Sequence, residues 1–236
     1  MTIVPNIVIL TGAGVSAESG VPTFRAADGL WEGHRVEDVA TPEAFRRDPA
    51  LVHAFYDARR ANLSTVQPNA AHFALARLEA AWSGDFLLVT QNVDDLHERA
   101  GSKRLIHMHG ELKRGWCLDC NSRFPWEGSM GEAAKCGACA RPGRVRPDIV
   151  WFGEMPYRME RIEEALQCCD LFVSIGTSGA VYPAAGFVQT ARYCGAQTLE
   201  INLEPSQGSI FFDECRLGLA SEQVPQWVHE LLALTY

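Results

Sequence analysis

Four cysteines carry the plainest chemistry in the chain. Cys117 and Cys120 form one C-x2-C knuckle, Cys136 and Cys139 form another, and 15 residues separate the two. Two residues between cysteines let both thiolates of a knuckle reach one ion. Two knuckles complete the tetrahedral sphere that structural zinc prefers. With all four positions filled, no place remains for water or substrate, so one zinc per chain is expected to hold structure and not to perform chemistry. The alternative, a pair of disulfides, needs an oxidising compartment. Cys168, Cys169, Cys194 and Cys215 show no ligand spacing, and their apolar surroundings read as buried free thiols. His107 and His109 are a second candidate. They are two apart, so in an extended segment they share a face. A neutral imidazole, with an ordinary pKa of about 6.5, can take a proton at cellular pH. From the residues alone, either is equally a satisfied core histidine.

These groups need elements to hold them. Ile7 to Leu10, Phe86 to Val89, Leu171 to Ile175 and Thr198 to Ile201 are short apolar or β-branched runs. Between them lie helical patterns. Ala70, Phe73, Ala74, Leu78 and Ala81 recur at three- and four-residue steps within Asn69 to Trp82, and Met159, Ile162, Ala165, Leu166 and Cys169 do the same. Such alternation predicts an α/β fold, a parallel sheet with helices on both faces. A closing amphipathic helix is expected from Pro225. Each strand runs into a small or polar cluster: Thr11-Gly12-Ala13-Gly14, Thr90-Gln91-Asn92-Val93-Asp94, Gly176-Thr177-Ser178 and Asn202-Leu203-Glu204. In a parallel sheet these carboxyl ends share one edge, where ligands bind at the switch in strand order. Gly12-x-Gly14 suits backbone N–H groups approaching a pyrophosphate. The third glycine of the hydride-transfer fingerprint is replaced by Ala17, and no clear acidic residue ends a second strand about 20 residues later. The loop reads either as a plain glycine turn between strand and helix or as a site for a dinucleotide held differently from a redox cofactor.

Composition narrows the field. The chain has 236 residues, 47% hydrophobic and 21% charged, which excludes disorder and fibrous repeats. A net charge of −8 argues against nonspecific binding to nucleic acid or an anionic membrane, although Lys113 to Arg146 is locally basic. Met1 to Ala17 lacks the basic start and long apolar core of a signal segment, and Leu171 to Ala191 is too polar for a membrane helix. A soluble, cytoplasmic protein is expected.

The motifs together resemble the sirtuins, NAD-dependent protein-lysine deacylases, over essentially the full length. They are G-A-G-x-S-x-x-S-G-V-P-x-F-R at Gly12 to Arg25, T-Q-N-V-D-D-L-H at Thr90 to His97, and His109-Gly110. The four-cysteine module, Phe152-Gly153-Glu154, Gly176-Thr177-Ser178 and Asn202-Leu203-Glu204 follow in order. The resemblance implies a Rossmann-like large domain, about 1–27, 64–112 and 146–236, and a small domain. The small domain joins a helical insert, about 28–63, to a zinc ribbon, about 113–145. It further implies that Gly12, Ala13 and Gly14 hold the NAD pyrophosphate, while Ser16, Ala17 and Glu18 open the next helix. Phe24 and Arg25 would belong to a mobile cofactor loop. Gln91, Asn92 and Asp94 would hold the ribose and the nicotinamide carboxamide, and Ser178, Asn202, Glu204 and Ala220 the adenosine half. Trp31, Val93, Gly176, Thr177 and Leu203 complete the cofactor set, and Phe152, Gly153 and Glu154 take the substrate. The pattern selects His109 as the base. In the implied reaction nicotinamide leaves, the acyl-lysine oxygen captures ribose C1′, and the base frees a ribose hydroxyl to attack. Water then gives free lysine and O-acyl-ADP-ribose.

Within the insert, Tyr56 and Arg59 are three apart and share a helix face. A phenol beside a guanidinium can bind a carboxylate. A surface arginine beside a half-buried tyrosine has the same spacing. The Tyr-x-x-Arg placement is similar to class III sirtuins, which remove succinyl and malonyl groups, bacterial members usually removing acetyl as well. The expected partners are acyl-lysine proteins or peptides and NAD, with no membrane and no specific nucleic acid. Mono-ADP-ribosyl transfer on the same fold, and a non-enzymatic zinc-ribbon module for nucleic acid, are the alternatives.

Overall fold

The computed structural model describes residues 4–23, 30–131 and 133–233. Its strands are β1 (Ile7–Thr11), β2 (Leu30–Trp31), β3 (His34–Arg35), β4 (Phe86–Thr90), β5 (Leu105–His107), β6 (Gly110–Cys117), β7 (Arg123–Pro125), β8 (Val145–Ile149), β9 (Leu171–Ile175), β10 (Gln197–Asn202) and β11 (Glu214–Leu217). Its helices are α1 (Gly14–Ala17), α2 (Val36–Val39), α3 (Pro42–Arg47), α4 (Pro49–Asn62), α5 (Ala70–Ala81), α6 (Leu96–Ala100), α7 (Met159–Cys168), α8 (Phe187–Tyr193) and α9 (Ala220–Ala233).

Six strands form one parallel sheet in the order β11-β10-β9-β1-β4-β5. All five residues of β1 are buried, as a strand covered on both faces requires. Its period of two sends Ile7 and Ile9 against α5 and α9, and Val8 and Leu10 against α7 and α8. The edge strands β5 and β11 escape the sequence pattern. Leu105–His107 is only three residues long, and Glu214–Leu217 is largely exposed.

Two expectations change. The last helix begins at Ala220 and carries Pro225 inside it. Its start is anchored by Glu18, whose carboxylate accepts from the Ser221 N–H (2.9 Å) and hydroxyl (2.5 Å). An acid at a helix N-terminus is favourable, because it accepts from N–H groups that have no partner within the helix. Of the four cysteines expected to be buried, only Cys169 is. Cys168 ends α7, Cys194 follows α8 and Cys215 lies on the edge strand, all three exposed.

A second, antiparallel sheet, β7-β6-β8, leaves the first at Gly110. The helices α2 to α4 pack against it through Val39, Val52, Phe55, Tyr56, Leu112, Ile149 and Trp151. Its far end brings the four cysteines together. Cys117 and Cys139 sulfurs lie 3.8 Å apart, Cys120 and Cys136 3.6 Å, and all four fall within 4.8 Å of one another. A disulfide would need about 2.05 Å. Four bonds of about 2.3 Å to a central zinc place tetrahedral sulfurs about 3.8 Å apart. The spacing fits the ion and excludes the disulfides. Around it the ribbon has little core of its own, mainly Met130 and Val145 with Phe124 and Trp126. Replacing Cys136 with Ser is therefore expected to lose metal and stability together, because three converging thiolates without an ion repel. Elemental analysis should find one zinc per wild-type chain and less than one in the variant, with a lowered Tm.

Candidate active site

The sheet reverses its strand order between β1 and β9, and a cleft of about 440 Å³ opens there over the strand ends. At its floor Gly12, Gly14 and Gly176 lie backbone to backbone. A Cβ on Gly14 would meet the Gly176 Cα at 2.7 Å, and one on Gly12 the Gly176 oxygen at 2.8 Å. The Gly12 N–H donates to Ile175 O and the Gly14 N–H to Gly176 O (3.0 and 2.9 Å). These two N–H groups therefore hold the crossover itself, and the glycines are needed for close approach rather than as pyrophosphate donors.

The loop after β4 forms one wall. Gln91, Asn92, Val93 and Asp94 all line the cleft, with Asn92 and Asp94 more than nine-tenths buried. Ser16 does not line it. It lies behind, donating to Asp94 (3.0 Å) and accepting from the Asn92 amide (3.0 Å). Burial pushes the Asp94 carboxyl up, against the Leu96 N–H and Ser16 hydroxyl that stabilise its charged form.

The two histidines separate cleanly. Only β5 is extended, ending at His107, so the shared face expected of His107 and His109 does not form. His107 points away from the cleft. It donates from Nδ1 to Asn92 O (3.0 Å) and meets Glu98 at 2.5 Å. Burial works against its charge, but the Glu98 bond and charge win and raise its pKa. His109 lines the cleft, and its Nδ1 donates to Gln91 O (3.1 Å). That bond fixes the neutral tautomer with a bare Nε2, an acceptor. Burial lowers its pKa below 6.5, so it is neutral at cellular pH. Gly110 follows for a steric reason: at φ +84° its Cβ would lie 2.0 Å from Asp148 O.

The opposite wall is built by α4 and the segment after β8. Tyr56 is fully buried, and its hydroxyl accepts from Trp151 Nε1 (3.0 Å). Burial pushes its pKa far up, so it stays a phenol. The Arg59 side chain is only 9% exposed, which rules out the surface arginine. It lies 4.3 Å over the Trp31 ring and pairs with Glu32 (2.7 Å), while its Nε is buried without a partner. Glu32 and Gly33 form the two-residue tip of the β2–β3 hairpin, both at positive φ, as such turns require. Phe152, Gly153 and Glu154 line the cleft, but the Glu154 carboxylate is engaged by Arg146 (2.7 and 2.9 Å) and the Trp151 N–H. It shapes the turn.

At the far end, Ala13, Ala17, Glu18, Thr177, Ser178, Asn202, Leu203 and Ala220 line the cleft, and Glu204 does not. Asn202 is a clasp between loops, its amide donating to Thr177 O (2.7 Å). Phe24 and Arg25 lie outside the described residues. Sequence reasoning missed Trp151, which lines the cleft beside the F-G-E motif, and Arg146, whose guanidinium lies 3.3 Å from the Trp151 ring centroid. The local basic bias of that segment carried the only signal for Arg146.

The Sir2 family profile matches residues 12–183. The chain belongs to the Sir2 family. It is 58% identical over 234 residues to an NAD-dependent protein deacylase of Pasteurella multocida, covering 98% of this chain and all of that protein. A solved complex of a Sir2 homologue with NAD superposes with a TM-score of 0.89 at 40% identity, covering 98% of this chain and 91% of that one. A second Sir2 structure, with a deacetylated p53 peptide and 3′-O-acetyl ADP ribose, gives 0.84 at 27% identity over 95% and 93%.

Within this sirtuin site only His109 offers a bare imidazole nitrogen to the cleft among the described residues. His109→Ala is expected to lower kcat at least a hundredfold with an unchanged Tm, whereas His107→Ala should keep most activity. Because burial depresses the His109 pKa, its Nε2 takes up a proton only as pH falls through a value below 6.5. The acid limb of the kcat/KM profile should therefore have its midpoint below pH 6.5.

Proposed function

We infer that the chain removes acyl groups from protein lysines at the expense of NAD, in the cytoplasm, giving free lysine, nicotinamide and O-acyl-ADP-ribose. The observation that carries the reading is the bare Nε2 of His109, opening into a cleft that runs from the strand-order switch to the Tyr56–Arg59 wall. Bound NAD supplies an electrophilic ribose carbon with nicotinamide as leaving group. The glycine floor gives the dinucleotide a close backbone approach. Gln91, Asn92 and Asp94 hold the nicotinamide ribose and carboxamide. Ser178, Asn202, Leu203 and Ala220 surround the adenosine half, with Glu204 just beyond. The acyl-lysine enters beside Phe152 and Gly153 and meets the ribose in front of His109. The imidazole then accepts the ribose hydroxyl proton, a contribution of roughly 10² to 10⁴ in rate. It needs no help to stay neutral, because its surroundings are already desolvated.

The acyl group reaches the Tyr56–Arg59 wall. Arg59 and Tyr56 line the cleft side by side, a guanidinium next to a hydroxyl that accepts from Trp151 and keeps its own proton to donate, and such a pair suits an anion. The pocket therefore takes succinyl and malonyl as well as acetyl. Arg59→Met keeps bulk and helix propensity while removing the charged contact. A hydrogen bond to a charged group contributes about 1.5–3 kcal/mol, so kcat/KM for a succinyl-lysine peptide should fall about ten- to a hundredfold. Deacetylation of the same peptide should be spared. Equal losses on both substrates would make Arg59 structural, and a wild type inactive on succinyl-lysine would refute the acidic-acyl reading.

A further inference from the structure

The acyl wall turns on the direction of one hydrogen. Tyr56 lines the cleft yet is fully buried, and among the described residues its hydroxyl makes one hydrogen bond, accepting from Trp151 Nε1 at 3.0 Å. An indole N–H can only donate, so the phenol oxygen must accept, and its own proton cannot turn back toward Trp151. Burial raises the Tyr56 pKa, so that proton stays on the oxygen. No described residue accepts it. A buried donor left unmatched is costly, and a ligand in the cleft is the place to find its acceptor.

Trp151 is held so that its indole keeps one direction. It is buried, and its backbone N–H donates to Glu154 Oε2 (2.8 Å). The same carboxylate accepts from both terminal nitrogens of Arg146 (2.7 and 2.9 Å), one of which also donates to Ile149 O (2.7 Å). That guanidinium lies 3.3 Å from the Trp151 ring centroid, a cation against an aromatic face. The Phe45 ring packs on the indole as well, at 5.3 Å between centroids. Backbone and ring are both pinned, and the N–H direction with them. Glu154 sets Arg146, the two together set Trp151, and Trp151 sets the proton of Tyr56.

We propose that Trp151 is a positioning residue for acyl choice: its indole N–H fills the acceptor side of the Tyr56 oxygen and so turns the phenol proton toward the distal carboxylate of an acidic acyl group. The inference rests on the reading that the Tyr56–Arg59 wall receives the acyl group. Arg59 then supplies charge and Trp151 supplies direction. An acetyl group ends in a methyl and offers no acceptor, so the device acts on succinyl and malonyl alone.

A double-mutant cycle on the full chain separates this role from packing. The quantity read is the ratio of kcat/KM for the succinylated and acetylated forms of one peptide, at saturating NAD. Trp151→Phe keeps an aromatic ring against Arg146 and removes the N–H. It is expected to lower the succinyl-to-acetyl ratio at least fivefold. In Tyr56→Phe, where no phenol remains to orient, adding Trp151→Phe should change the ratio less than twofold. A packing role would instead lower Tm and both activities in proportion, or lower the ratio equally in the two backgrounds, and either result overturns the proposal. If Trp151→Phe fails to fold, the wild type still decides. A phenol that donates to a carboxylate becomes a stronger acceptor, so the Trp151 indole proton resonance should move downfield when saturating succinyl peptide binds without NAD, and not with acetyl peptide. An equal shift with both peptides, or none with either, would overturn it. Arg59→Met with an unchanged ratio would instead sink the acidic-acyl reading beneath it.

Discussion

Three glycines pressed together at the strand-order switch set the rest of the site. Gly12 and Gly14 lie against Gly176 so closely that any side chain would strike backbone, and their N–H groups tie β1 to the end of β9 and the turn after it. That contact aligns the ends of β1, β4, β9 and β10 on one edge. The polar loops following those strands then open into one cleft. Without it the loop after β4 would have nothing to face. The same constraint recurs at Gly110, where the chain leaves the main sheet for the zinc-bearing one and only a glycine fits beside Asp148. The His109-Gly110 pair thus sets a cleft-lining imidazole directly beside the point where the chain passes from one sheet to the other.

Around this frame the charge states are arranged by burial more than by ion pairs. Along β5 and the following turn, His107 and His109 bond to successive carbonyls, Asn92 O and Gln91 O. They differ because one meets Glu98 and the other meets the cleft. One is thereby a structural tie and the other an acceptor. On the acyl side Arg146 is spent on Glu154 and the Ile149 carbonyl, whereas Arg59 keeps an unsatisfied edge. Of Arg59 and Arg146, both against the same wall, only Arg59 has a nitrogen left without a partner.

Much of this was legible in the sequence. Period-two strands and three- and four-residue helix steps report burial directly, so β1, β4, β9, β10, α5 and α7 were readable from their apolar positions. Paired C-x2-C knuckles report geometry because only a common ion asks for that spacing. The edge strands were hidden, since a half-solvated strand such as Glu214–Leu217 needs no apolar alternation. The start of α9 was hidden as well, because its anchor is Glu18, about 200 residues earlier in the chain. The roles of Glu154 and Asn202 were also beyond spacing. Both sit in polar motifs at the cleft, yet their side chains are taken by Arg146 and Thr177.

The central claim is that this cleft couples removal of a lysine acyl group to consumption of NAD. Mass spectrometry of one peptide, prepared in acetylated and succinylated forms and incubated with enzyme and NAD, tests it most directly. The account predicts one nicotinamide and one O-acyl-ADP-ribose for each lysine freed, and no reaction without NAD. Lysine release without nicotinamide, or ADP-ribose attached to a peptide that keeps its acyl group, would contradict it.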